Sequence, residues 1–170
     1  MNAPRHQHEI RQGLYTEAER KRRDSSPWTL VQGILAPLQF VVFLVSLVLV
    51  LRTMATGDGA LAAHISIIVK TLVLYTIMVT GSLWEKDVFG QYLFAPAFFW
   101  EDAVSFVVIA LHTAYLAGLM TGAMSEQNLF ILALAAYATY VVNAAQFILK
   151  LRAARLSSAG QPFNSAEAAS

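Results

Sequence analysis

The sequence contains four apolar runs, each long enough to cross the hydrocarbon core of a lipid bilayer. A helix needs about 20 residues to span roughly 30 Å of hydrocarbon, and its backbone polar groups must be satisfied within the helix. Hydrophobic residues make up 56% of the chain and charged residues only 14%, unlike an ordinary soluble domain. The sequence therefore predicts an all-α integral membrane protein, a four-helix transmembrane bundle with spans at about 28–51, 61–84, 97–120 and 128–149.

The basic residues predict the orientation of this bundle. With both termini in the cytoplasm, ten of the twelve Lys and Arg residues lie on the cytoplasmic side, while Arg52 lies outside and Lys70 lies within a span. Cytoplasmic segments of membrane proteins carry such an excess. We therefore assign residues 1–27 to a cytoplasmic N-terminal segment, 28–156 to the membrane domain and 157–170 to a disordered C-terminal tail.

The N-terminal segment differs from a secretory signal. The apolar run after it is far longer than a signal core and lacks a small-residue cleavage site. Thr16 to Glu19 instead predicts the start of a short interfacial helix. The chain has no cysteine, which excludes disulfides and thiolate metal sites. It shows no nucleotide-binding glycine motif, and we expect no nucleic acid partner.

The stretch between the second and third spans carries charge where a simple connection needs none. It reads WEKDVFGQYLFAPAFFWED, from Trp84 to Asp102, and contains four of the eleven acidic residues. These form two pairs, each after a tryptophan: Glu85 with Asp87, and Glu101 with Asp102. Pro96 is expected in the first turn of the third helix. We predict that this stretch forms the mouth and part of the floor of an active site on the cytoplasmic face.

Polar side chains recur at helical spacing in all four spans, at matching depths. Counted from the cytoplasmic ends, one layer contains Gln32, Ser82, Glu85, Glu101, Asp102, Ser105, Asn143 and Gln146. A deeper layer contains Gln39, Lys70, Thr71, Tyr75, His112, Tyr137 and Tyr140. Hydrogen bonding between helices explains many such residues in lipid. Ionisable groups at depth are costly, however, so the acids, Lys70 and His112 are candidates for function.

Glu101 is the inward-facing acid that the sequence favours. Its helix face also carries Ser105 and His112. Burial disfavours a charged carboxylate, which makes a buried carboxylic acid a competent proton donor near neutral pH. His112 is eleven residues further on, about 16 Å along the helix, so it and Glu101 could hold opposite ends of one large ligand. The aromatic residues of the stretch have two possible roles. The favoured interpretation is a belt of aromatic side chains at the membrane–water interface, and the second is stacking on the ring of a ligand.

Three long strings resemble one known family, the 3-vinyl bacteriochlorophyllide hydratases. They are SPWTLVQGILAPLQF, VKTLVLYTIMVTGSLWEKDVFGQYLFAPAFFWEDAVSFVVIALHTAYLAGL and LALAAYATYVVNAAQFILKLRAARL. The likeness covers roughly residues 14–156. It implies a lyase that adds water to the 3-vinyl group of chlorophyllide a or the related bacteriochlorin. It also implies a multi-pass protein of the bacterial inner membrane, with other enzymes of bacteriochlorophyll synthesis as partners.

Such a hydration needs a proton for the terminal vinyl carbon, a water for the resulting cation and a flat apolar slot. It needs no cofactor, since the only metal is the magnesium of the substrate. The residues expected to catalyse it are Glu101, Asp102, Glu85 and His112. Those expected to bind substrate are Lys70, Tyr75, Gln39, Trp84, Trp100, Tyr140, Asn143 and Gln146. We expect Lys70 to anchor a carboxylate, and His112 either to activate water or to ligate the magnesium.

Two other classes of protein remain compatible with this pattern. A pigment-binding membrane subunit would need His112 but not a pair of deep carboxylates. A proton-coupled transporter would use Glu101, Lys70 and His112 as a relay. Conversion of chlorophyllide a to a product heavier by one water separates both classes from a hydratase.

Overall fold

The computed structural model describes residues 14–159, and this part of the chain is all helical. Predictions for residues 1–13 and 160–170 lie outside the described residues. Each helix is connected to the next by a short turn, apart from one longer segment between the third and fourth. The five helices are α1 (Glu17–Ser25), α2 (Pro27–Thr56), α3 (Ala60–Phe89), α4 (Phe99–Thr121) and α5 (Glu126–Ala159).

The helices α2 to α5 are long and apolar enough to cross a membrane, which confirms the predicted helical class with four candidate spans. Three of them extend beyond the predicted spans, because helical hydrogen bonding continues past the last apolar side chain. α2 and α3 end where Gly57 and Gly90 adopt left-handed backbone conformations, with φ of +77° and +83°. α5 reaches Ala159, so its last turn enters the segment that the sequence assigned to a disordered tail.

The prediction for Pro96 was wrong. α4 begins at Phe99, and Pro96 lies before it in a turn that the Phe98 N–H closes on the Ala95 carbonyl at 2.7 Å. Proline favours the second position of such a turn because its ring fixes φ near the required value. The turn shortens the helix by two residues relative to the predicted start at Ala97. It also sets the direction in which α4 enters the bundle.

The four long helices form an antiparallel bundle with an apolar outer surface and an interior that contains both apolar and polar side chains. α2 packs along α3 and α4 along α5, and contacts of α3 with α4 and of α2 with α5 complete the ring. Leucine, isoleucine and valine side chains cover the outer surface, as expected for contact with lipid. We call the end that carries the segment 90–98 the loop end. The interior is built from Phe43, Val50, Ile67, Leu74, Val108, Tyr115, Ala133, Tyr137 and Tyr140, among others.

The helix α1 docks on the loop end of α3. Thr16 and Glu19 cap its first turn reciprocally, which confirms the predicted helix start. Before it, the ring of Tyr15 stacks on Phe89 with centroids 5.9 Å apart, and burial raises the pKa of Tyr15 to about 12. The Ser26 hydroxyl then donates to Asp87 Oδ2 at 2.7 Å. The segment before the first span therefore packs against the same end of the bundle as the acidic stretch.

Candidate active site

The carboxyl groups of Glu85 and Asp102 meet at the loop end, and we call them the carboxyl pair. Glu85 lies in the last turns of α3 and Asp102 in the first turn of α4. Both side chains are buried, and their carboxyl groups are close enough to interact with each other. The intervening segment fixes them further, since the Ala95 N–H donates to Glu85 Oε2 at 3.1 Å and the Phe94 N–H to Asp102 Oδ2 at 2.7 Å.

The carboxyl pair can hold one proton between its two groups. An ionised carboxylate only accepts hydrogen bonds, so a bond between two carboxyl groups requires one of them to be protonated. Two carboxylates in one site also resist joint ionisation. Burial removes the water that would otherwise screen their charges from each other. Such a pair can give up a proton and later take it back, which is the task of a general acid and base.

Phe94 has a backbone conformation that is rare for a bulky residue. Its φ is +59°, in the left-handed region, where a side chain costs about 1–2 kcal/mol. The same residue donates its N–H to Asp102 and stacks its ring on Phe106, with centroids 5.4 Å apart and planes 9° apart. Strain of this kind persists where the surroundings enforce it and clusters at functional sites. Phe94 thus connects the carboxyl pair to the surface of the bundle.

An exposed group of rings lies beside the carboxyl pair, and we call it the aromatic surface. Phe94 contacts Phe99 as well as Phe106, and Phe99 meets Trp100 edge to face. All four rings are exposed, and Trp100 is 71% exposed, the most of the four. Trp100 was expected to bind substrate, and its ring is accessible. The aromatic surface is made of Phe94, Phe99, Trp100 and Phe106.

Trp84, by contrast, is partly buried and packs against a buried cluster. Its indole N–H donates to the Thr29 hydroxyl at 2.9 Å, and its ring meets Phe98 edge to face with centroids 5.5 Å apart. Phe98 and Tyr15 belong to the same buried cluster. The two tryptophans that precede the acidic pairs therefore have different surroundings. Of the two, Trp100 is the exposed one.

Glu101 is buried as the sequence predicted, but it is paired with a lysine. Lys150 Nζ donates to Glu101 Oε2 and to the Ala97 carbonyl. The Glu101 carbonyl accepts from Asn143 Nδ2 and from the Ser105 hydroxyl, each at 2.8 Å. An ion pair favours the charged carboxylate, which is a poorer proton donor than a carboxylic acid. The donor role of Glu101 stays a prediction, and the geometry favours the neighbouring carboxyl pair for it.

Lys70 and His112 lie deeper in the bundle interior. Lys70 is 0% exposed and its Nζ sits 3.8 Å from the centroid of the Tyr140 ring. His112 is 1% exposed, and its Nδ1 bonds to the Val108 carbonyl at 2.8 Å. Lys70 and His112 are close enough to each other to interact electrostatically. His112 Nε2 is the atom that could ligate magnesium, but the helices enclose it.

The remaining predicted binding residues fall into separate places. The Tyr75 hydroxyl bonds to Thr113 at 2.6 Å between α3 and α4, about 15 Å along the helix from Glu85. Asn143 supports the backbone of Glu101, as described above. Gln39 and Gln146 have buried amide atoms without hydrogen-bond partners among the described residues. The structure therefore brings the carboxylates together but keeps the deep residues apart from them.

Comparison with known proteins identifies the family. A sequence model described as 2-vinyl bacteriochlorophyllide hydratase (BCHF) matches residues 15–153. The chain belongs to the 2-vinyl bacteriochlorophyllide hydratase family. A protein of that name from Rhodobacter capsulatus is 67% identical over 160 residues, covering 94% of this chain and 92% of its own. Another from Cereibacter sphaeroides is 68% identical over 143 residues, covering 84% and 89%. No solved structure matches.

Membership of the hydratase family confirms the resemblance found in the sequence. The matched region includes the carboxyl pair, the aromatic surface and the deep residues. Sequence reasoning left two residues, Lys150 and Phe94, out of the candidate site. The spacing of Lys150 from Asn143 and Gln146, seven and four residues earlier, was a usable signal for its inward position. Nothing in the sequence marks the left-handed backbone of Phe94, a conformation for which glycine is the usual choice.

Proposed function

We propose that this protein adds water to the vinyl group of a bacteriochlorophyllide, converting it to a 1-hydroxyethyl group in bacteriochlorophyll biosynthesis. The family and the names of both relatives support this reaction. The structural observation that carries it is a buried pair of interacting carboxyl groups, joined through the Phe94 N–H to an exposed aromatic surface. The older ring numbering calls the reacting substituent the 2-vinyl group, and the systematic numbering calls it the 3-vinyl group.

The carboxyl pair supplies and recovers the proton in this proposal. The protonated member gives its proton to the terminal vinyl carbon, and the electron pair of the double bond forms the new C–H bond. The positive charge left on the inner carbon is delocalised into the macrocycle. Water attacks that carbon, and its surplus proton returns to the carboxyl pair. Addition of water leaves the net oxidation state of the substrate unchanged, so the reaction needs no redox cofactor.

The aromatic surface is the proposed docking place for the macrocycle. A flat ring system stacks on aromatic side chains in offset or edge-to-face arrangements, which add to the area that it buries. Phe94 contributes its ring to this surface and its N–H to Asp102, so a docked macrocycle lies next to the proton. Approach from the bilayer is open because the aromatic surface faces outward. We place the protein in the bacterial inner membrane, where it would meet other enzymes of the same synthesis.

The direct test uses purified protein in detergent with 3-vinyl bacteriochlorophyllide or chlorophyllide a. The expected product is heavier by one water, and the reaction in H2¹⁸O places the heavy oxygen in the new hydroxyl group. A visible-absorption titration reports binding in the same samples. Tight binding without conversion would replace the hydratase by a pigment-binding subunit.

We further propose that the loop end faces the cytoplasm, with both termini on that side. The basic residues 20–23 of α1 and Lys150 lie at this end, whereas Arg52 lies near the opposite one. A phosphatase that is active only outside the cytoplasm should be inactive when fused after residue 170. The same reporter inserted at Gly57 or Gly122 should be active. The reverse pattern would invert the orientation.

Phe94→Gly tests the docking place without disturbing the acid. Glycine accepts the left-handed backbone and keeps the N–H that bonds to Asp102, so only the ring is lost. We expect the Kd for the substrate to rise roughly threefold to tenfold, with kcat changed little. Phe40→Leu, which removes an exposed ring on α2, should leave the Kd unchanged. Equal Kd values for Phe94→Gly and wild type would remove the aromatic surface from the binding site.

A further inference from the structure

Five buried polar atoms in the bundle interior have no hydrogen-bond partner within residues 14–159. They belong to four residues, one on each of the helices α2, α3, α4 and α5. Unsatisfied buried polar groups are rare in folded proteins, and each one needs an explanation. The atoms are Gln39 Nε2, Gln39 Oε1, Lys70 Nζ, His112 Nε2 and Gln146 Oε1.

The chemistry of these atoms selects the ligand that would satisfy them. Lys70 Nζ and Gln39 Nε2 are donors. His112 Nδ1 faces the Val108 carbonyl and so carries the ring proton, which leaves Nε2 as an acceptor like the two amide oxygens. An anion would satisfy only the donors. A metal ion would satisfy only the acceptors and would be repelled by Lys70, whereas water donates and accepts.

These atoms form a column that leads to the carboxylates. On α5, Tyr140, Asn143, Gln146 and Lys150 follow each other on one face over ten residues, about 15 Å. Tyr140 covers Lys70 at the deep end, and Lys150 pairs with Glu101 at the loop end. Gln39 lies one turn nearer the loop end than Phe43, whose ring contacts Tyr140 with centroids 5.0 Å apart. Lys150 is partly exposed, which gives the column an entrance from solvent.

We propose that ordered waters fill this column and deliver the water that attacks the vinyl cation. Buried waters bind where two to four otherwise unsatisfied polar groups surround them, and the five atoms are groups of this kind. The macrocycle on the aromatic surface covers the outer side of the carboxyl pair, so the water arrives from the inner side. Its oxygen forms the new C–O bond, and its surplus proton passes to the carboxyl pair. The delivery role rests on the proposed hydration, but the column of waters does not.

The structure thereby gives Lys70 and His112 a different role from the anchoring predicted from the sequence. Anchoring residues contact the substrate, and their loss raises the Kd. Loss of residues that line a water column leading to the reaction site leaves the Kd unchanged and lowers the saturated rate. Both side chains are enclosed by helices, away from the exposed rings on which we dock the macrocycle. The two roles therefore differ in a measurable way.

The test compares Gln39→Leu with the matched control Gln32→Leu. Gln32 lies seven residues earlier on the same face of α2, but its amide is satisfied by Thr80 Oγ1 at 2.7 Å and by the Ile77 carbonyl. Brief X-ray irradiation produces hydroxyl radicals from bound waters and labels the side chains beside them. We expect Tyr140 to be labelled in the wild-type protein despite its burial. Tyr115 is also buried, but its hydroxyl bonds to His64 and lies outside the proposed column, so it serves as the reference without adjacent water.

Gln39→Leu should lower the labelling of Tyr140 several-fold and kcat roughly tenfold to a hundredfold, with an unchanged Kd, because it interrupts the column that positions and supplies the attacking water. Gln32→Leu should change neither quantity. Labelling of Tyr140 no higher than that of Tyr115 in wild type would overturn the column, and so would Tyr140 labelling unaffected by Gln39→Leu. An intact kcat in Gln39→Leu with lost labelling would overturn the delivery role. Strong Tyr140 labelling in a protein without any hydratase activity would refute the proposed function and leave the column standing.

Discussion

Asp102→Asn should lower kcat by about a hundredfold to ten-thousandfold, the usual cost of losing an acid–base group. Asparagine keeps the shape of the side chain, and its oxygen can still accept from the Phe94 N–H. Its amide can donate to Glu85 in place of the shared proton, so the local structure is retained. The amide cannot release that proton to a vinyl carbon. Single-turnover measurements at saturating substrate, together with a binding titration, separate the lost step from lost affinity.

Two further carboxylates serve as references for this experiment. Asp87→Asn removes an acidic group at the same end of the bundle. Asp87 bonds to Ser26 and not to the carboxyl pair, so this variant should keep kcat within a few-fold of wild type. Glu101→Gln tests the acid favoured by the sequence. If Glu101→Gln abolishes turnover while Asp102→Asn retains it, the proton donor is Glu101 and the carboxyl pair has another role.

Lys150→Met should lower the free energy of unfolding by about 2 kcal/mol. The substitution leaves the buried Glu101 carboxylate without its cation, and breaking a fully buried pair costs about 3–5 kcal/mol. The smaller figure applies here because the Lys150 side chain is 26% exposed and water screens part of its charge. Thermal unfolding in detergent should show a decrease of roughly 4–8 °C.

A double-mutant cycle isolates the pair from other effects. Lys150→Met combined with Glu101→Gln should recover most of the lost stability, since a neutral amide needs no counter-charge. Arg152→Met removes an exposed positive charge two residues further on and should be nearly neutral. A double variant that is as unstable as the sum of its single variants would show that Lys150 does not stabilise Glu101.

The interior of this bundle explains why a membrane protein of this size keeps so many polar residues. Helices in lipid associate through small residues, dispersion and a few hydrogen bonds, and they need no buried ions. Here the ion pair at Glu101 and the carboxyl pair are both at the loop end, next to exposed rings. Polar groups further inside continue toward Lys70. This distribution matches a reaction that needs an acid, a flat ligand and a water in one place.

The sequence by itself determined the class of the fold, the four candidate spans and the helix faces that are buried. These properties follow from local rules, because hydropathy sets the length of a span and the 3.6-residue period sets the face. The inward positions of Glu101, Lys70 and His112 were predicted in this way and are observed. Asp102, which the sequence did not favour as the inward-facing acid, is buried as well. The family was also evident from the sequence, since its long strings need no structural interpretation.

Only the tertiary structure decided which charged groups meet. Glu101 and Asp102 are adjacent in sequence, yet one pairs with Lys150 on α5 and the other with Glu85 on α3. Successive residues on a helix point about 100° apart, so their partners depend on how neighbouring helices are rotated and shifted. The turn at Pro96 and the left-handed backbone of Phe94 set that shift for α4. Spacing along one helix contains no information about a rotation that the packing of four helices determines.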